Sequence, residues 1–159
     1  MNKKILVVWA LLLIAVGGWA AWYLFAPGTP PKGQPPLGDA SAFRALFERN
    51  TDKTRVVAYF SPNDRKDLLS AALLDAQVES NEKPTLAIYV IWTSAPPTDA
   101  MARIPDKRAA QFMDTKGDLR SLLGEGHVCA YARGAKFDQQ AFRTGEIEVD
   151  MPKLRELLP

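Results

Sequence analysis

The chain alternates continuous apolar runs with amphipathic stretches, and their spacing assigns most elements. Ile5 to Phe25 are 21 consecutive positions without a charged side chain. At about 1.5 Å of rise per residue, a helix of that length matches a hydrocarbon core of about 30 Å. Shorter patterns follow. Asp39 or Ser41 can cap a helix carrying Phe43, Leu46 and Phe47 on one face. Arg55 to Phe60 is β-branched and aromatic, as a buried strand is. The turn Ser61-Pro62-Asn63-Asp64 opens a helix through about Gln77, with Leu68, Leu69, Ala72, Leu73 and Ala76 as its apolar face. Leu86 to Trp92 is apolar almost throughout, the pattern of a central strand covered on both sides. A proline-broken loop from Thr93 to Thr98 leads to a short helix from Asp99 that carries Met101 and Ile104. Ala109 to Met113 reads as a strand, and Gly117-Asp118 begins a helical turn with Leu119, Leu122 and Leu123. His127 to Ala132 and Lys136-Phe137 are predicted strands joined by the turn Arg133-Gly134. Pro152 is predicted in the first turn of a last helix, with Leu154, Leu157 and Leu158 inward.

Strands alternating with helices require a parallel core, and a terminal hairpin adds antiparallel strands. The expected class is α/β, a mixed central sheet with helices on both faces in a thioredoxin-like arrangement, preceded by one transmembrane helix. Four units are expected: a cytoplasmic N-terminus (1–4), the anchor (5–25), a Pro/Gly-rich linker (26–38) and an extracytoplasmic domain (39–159). Lys3 and Lys4 precede the apolar run and the next cation is Lys32, so the positive-inside rule exports everything after Phe25. A cleaved signal peptide is the alternative. Its apolar region is usually about 7–15 residues long and ends in small residues. Here Trp19, Trp22, Tyr23 and Phe25 crowd that place. The linker holds five prolines and three glycines in thirteen positions, which suits an extended spacer better than a proline-rich ligand motif.

Charge and composition narrow the chemistry. Twenty Lys and Arg oppose 18 Asp and Glu, a formal charge of +2, so no basic excess marks a nucleic-acid binder. One cysteine, Cys129, excludes an internal disulfide and a four-cysteine zinc site. One histidine, His127, excludes a site that needs two, and no serine has the partners of a hydrolase triad. No phosphate loop or other cofactor motif occurs, and no cofactor is expected.

The segment VVAYFSPNDRKDLLSAALLDA resembles the first strand, active-site turn and following helix of thioredoxin-like proteins, more narrowly of membrane-anchored bacterial ones. In that group a strand is followed by Ser-Pro-x-Cys-x-x-Cys. A second strand ends in a Val-Trp-like pair, and an aromatic-Asp segment and a Tyr-rich strand come later. The chain offers Ser61-Pro62-Asn63, Ile91-Trp92, Gln111-Phe112-Met113-Asp114 with Gly117, and Tyr131 with Gly134-Ala135-Lys136-Phe137. The two cysteine positions fall on Asp64 and Asp67. Carboxylates can neither attack nor resolve a disulfide. The proline that faces the dithiol in the family is also missing, since none occurs between Pro105 and Pro152. The resemblance therefore implies a redox-dead member.

Each candidate residue has a second reading. Asp64 and Asp67, three apart at a helix start, are an acidic contact or weak cation site, or first-turn charge complementing the helix dipole. His127 and Cys129 share one strand face and could offer two soft ligands to a metal, or a reactive thiol. Packing of Cys129 as a small apolar residue is the plainer reading. Tyr59, Tyr89, Trp92, Phe112 and Tyr131 either line the core or border a peptide groove beside the turn. The expected protein is a single-pass inner-membrane protein with a periplasmic domain that binds a protein or peptide without catalysis. Its other partner is the lipid bilayer. A thiol- or metal-handling protein using Cys129 with His127, related to thiol-disulfide oxidoreductases, is the alternative, and a third role is stabilising a membrane complex through the anchor alone.

Overall fold

The computed structural model describes residues 38–81, 84–96, 98–106 and 108–158. The expected anchor, and the linker up to Gly38, lie outside the described residues. Among the described residues no helix is long and apolar enough to cross a membrane.

The elements run β1 (Gly38–Asp39), α1 (Ala40–Arg49), β2 (Thr54–Phe60), α2 (Arg65–Glu79), β3 (Leu86–Trp92), α3 (Thr98–Met101), β4 (Ala109–Met113), α4 (Arg120–Leu123), β5 (His127–Tyr131), β6 (Phe142–Thr144) and α5 (Ile147–Leu157). They form one six-stranded mixed sheet in the order β1-β4-β3-β2-β5-β6. β2, β3 and β4 are parallel, with Phe60 beside Trp92 and Trp92 beside Met113. β5 runs antiparallel to β2, so His127 lies opposite Tyr59. β1 is too short to show in a hydropathy pattern. It pairs with Phe112 and Met113, and a Cβ on Gly38 would sit 2.7 Å from the Phe112 ring.

Alternation along the strands divides the core in two. Val56, Ala58, Phe60, Ile88, Val90, Trp92 and Val128 face α2 and α5, packing on Ala71, Leu74, Val78, Ile147 and Leu154. Val57, Tyr59, Tyr89, Ile91, Cys129 and Tyr131 face α1 and α4, packing on Phe43, Phe47 and Leu123. All seven residues of β2 and of β3 are buried, which is why β3 reads as a continuous apolar run. The five strand aromatics are core: Trp92 donates its ring N–H to Gln111 Oε1 at 2.9 Å, and Phe112 packs edge-on against Phe43.

Four expectations are corrected. The buried face of α2 is Asp67, Ala71, Leu74, Gln77 and Val78, while Leu69 stands half exposed and Leu68 and Leu73 pack only at the margin. This helix is apolar on nearly every side, so spacing alone could not choose its inner stripe. The hairpin partner of β5 is Phe142–Thr144 rather than Lys136-Phe137. Phe137 leaves the sheet to stack on Tyr131 at 5.9 Å, and Gly134 N–H donates to Thr51 O at 2.7 Å, which holds the connection over α1. α5 starts at Ile147, well before Pro152, because Thr144 Oγ1 accepts from Glu146 N–H at 2.9 Å and donates to Asp150 at 2.8 Å. Its buried residues are Ile147 and Leu154, and Leu157 is exposed. Finally, α3 closes at Met101, so Ile104 is buried from the loop beyond it.

Candidate functional site

Where the parallel strands end, β2 runs into the turn Ser61–Asp64 and then α2. Asp64 N–H donates to Ser61 O at 3.3 Å, closing the turn. Pro62 is buried, whereas Asn63 and Asp64 are exposed. Asp64 caps α2: its extended backbone leaves the carboxylate free to accept Lys66 N–H at 2.8 Å. Asp67, one turn on, points the other way. It is 6 % exposed, and its Oδ2 accepts Ser61 N–H at 2.6 Å, bridging helix and turn. The two carboxylates therefore do not form one acidic contact. Asp64 satisfies the helix end in solvent, and Asp67 satisfies the turn from inside.

Burial raises the Asp67 pKa above the ordinary carboxylate value. The Ser61 N–H opposes that shift, nearby Asp64 and Glu125 add to it, and His127 opposes it. The residues entering β5 complete this corner. Gly126 N–H donates to Tyr59 O at 2.8 Å, and its φ of +72° is a conformation that favours glycine. A Cβ there would lie 3.0 Å from Asp67 Oδ1, so the backbone approaches the carboxylate as closely as a side chain would allow. His127 sits beside it, with Nδ1 2.8 Å from Glu125 O. The structure thus brings together Ser61, Asp67, Gly126 and His127.

Cys129 is apart from this group, two residues deeper in β5. It is wholly buried, with Sγ 3.9 Å from Leu123 O, and burial pushes its thiol pKa up to about 11. Among the described residues no group of three or more His, Cys, Asp or Glu side chains could hold a metal ion.

Two polar anchors escaped the sequence reading. Asp114 follows β4 and is buried, accepting from Tyr59 Oη at 3.0 Å and from Asp118 and Leu119 N–H at 3.1 and 2.9 Å. Burial, then this hydrogen bond, raises the Tyr59 pKa. Arg55, on the strand where an apolar face was expected, is fully buried. An Asp four and five residues before the two residues that lead into α4, and a charge opening an apolar strand, were the signals available.

A sheet with three central parallel strands, an antiparallel pair at one edge and helices on both faces fits a thioredoxin-like arrangement, with the Ser61–Asp67 turn where β2 passes into α2. No protein-family model and no curated protein matches the chain. Among solved structures it is similar to a secreted Mycobacterium tuberculosis disulfide oxidoreductase homologous to E. coli DsbE, at 15 % identity and a TM-score of 0.46 over 62 % of this chain and 72 % of that one. It is likewise similar to the thioredoxin domain of a thiol-disulfide oxidoreductase from Bacteroides vulgatus, at 15 % identity and a TM-score of 0.47 over 67 % and 82 % of the two chains. A third is a thiol:disulfide interchange protein from a Bacteroides species, at 15 % identity and a TM-score of 0.46 over 68 % and 76 %. At that level of likeness the fold reading rests on strand order and register.

Proposed function

We propose that the protein is a membrane-tethered, extracytoplasmic thioredoxin-like module whose dithiol turn has lost its thiols, and that it binds a protein or peptide partner without redox catalysis. One observation carries the reading. The Ser61–Asp67 turn, which the sequence resemblance aligns with a dithiol turn, is ordered and hydrogen-bonded, and it carries carboxylates at Asp64 and Asp67 where exchange chemistry would need sulfur. The charge-free run from Ile5 to Phe25 and the proline-rich spacer after it support tethering on the outer side of an inner membrane.

The thiol- or metal-handling alternative gains nothing from this geometry. A thiol held near pKa 11 inside an aromatic core is almost entirely protonated at neutral pH, and the thiolate is the reactive form.

Photocrosslinking in living cells tests the binding role, using a photoreactive residue at Asn63 and a control at Lys153. Both positions are exposed, and Lys153 lies on α5 rather than on the turn. A discrete adduct from Asn63 and none from Lys153 is the expected result. Equal labelling from both, or none from either, contradicts a partner docked at the turn.

A further inference from the structure

We draw no further inference here: the strongest candidate, the groove between the first turns of α2 and α5 beside the exposed side chains of Leu69 and Val149, is lined by Lys66 together with Glu146 and Glu148, so its charges select no one partner, and nothing in the structure shows what covers it.

Discussion

Replacing Asp67 separates two roles that one carboxylate combines. As an acceptor, Asp67 satisfies the Ser61 N–H at 2.6 Å. As a charge, it is buried at 6 % exposure near Asp64 and Glu125, and its pKa is raised, with burial the largest cause. Asp67→Ala removes both roles and leaves a half-buried N–H without a partner, a loss of about 1–3 kcal/mol. Asp67→Asn keeps an acceptor of the same shape and removes only the charge. A raised pKa means that the folded state favours the protonated carboxyl. The stability conferred by Asp67 is therefore full below the ordinary value of 3.8 and is lost as pH rises through the raised one. At about pH 7.5, Asp67→Asn should match or exceed the parent, while Asp67→Ala falls about 2–8 °C in Tm per kcal/mol lost. At about pH 4 the parent should draw level with Asp67→Asn or overtake it. Thermal unfolding followed by circular dichroism at both pH values reads this directly. If Asp67→Asn is as unstable as Asp67→Ala near neutrality, or the parent gains on Asp67→Asn as pH rises, the charge stabilises the turn and the reasoning is wrong.

Other expectations follow from the same contacts. Asp75, held near pKa 6 mainly by burial and against its hydrogen bond from Asp106 N–H, confers stability that is full below 3.8 and lost as pH rises through about 6. Asp75→Asn should therefore stabilise above that window by about 1–2 kcal/mol, after discounting for partial exposure, and make no difference below it; urea titrations at several pH values check this. Gly126→Ala forces a side chain into a positive-φ position facing the Asp67 carboxylate, and should lower stability by about 1–2 kcal/mol in the same titrations. Native Cys129 should alkylate slowly, and no faster than global unfolding allows, when labelling is followed by mass spectrometry.

Continuous burial was the strongest signal in the chain. β3 falls on the residues its apolar run marks, because a strand buried on both faces leaves no room for another reading. The sequence offered Asp39 or Ser41 as the cap of the first helix, and Asp39 takes the role by accepting Ala42 N–H. What failed depended on contacts far apart in the chain. Whether Phe137 continues a strand or turns into an aromatic cluster is decided by Phe47, on a helix about ninety positions earlier, at a ring distance of 5.2 Å. The inner stripe of α2 is set by Asp67 reaching Ser61, a polar residue in a place where hydropathy looks for apolar ones. The turn at Ser61–Asp64 and the helix it opens were legible in the sequence. The opposite roles of its two carboxylates were not, because a spacing of three residues at a helix start does not tell a cap from a buried acceptor. The burial of the strand from Arg55 to Phe60 was legible, but what holds the Arg55 charge inside it was not, because its acceptors are the carbonyls of residues 47, 132 and 135.

The central claim is that the Ser61–Asp67 turn is a dithiol turn without its thiols. Counting free thiols in the double variant Asp64→Cys/Asp67→Cys under mild oxidation tests it most directly, with buried Cys129 as the internal reference. The account predicts that the two new thiols close into one intramolecular disulfide, while Cys129 stays reduced and the variant reduces a disulfide substrate that the parent chain leaves untouched. A folded variant whose two new thiols both remain free would mean that Asp64 and Asp67 do not stand at dithiol positions, and the functional reading built on them would fall.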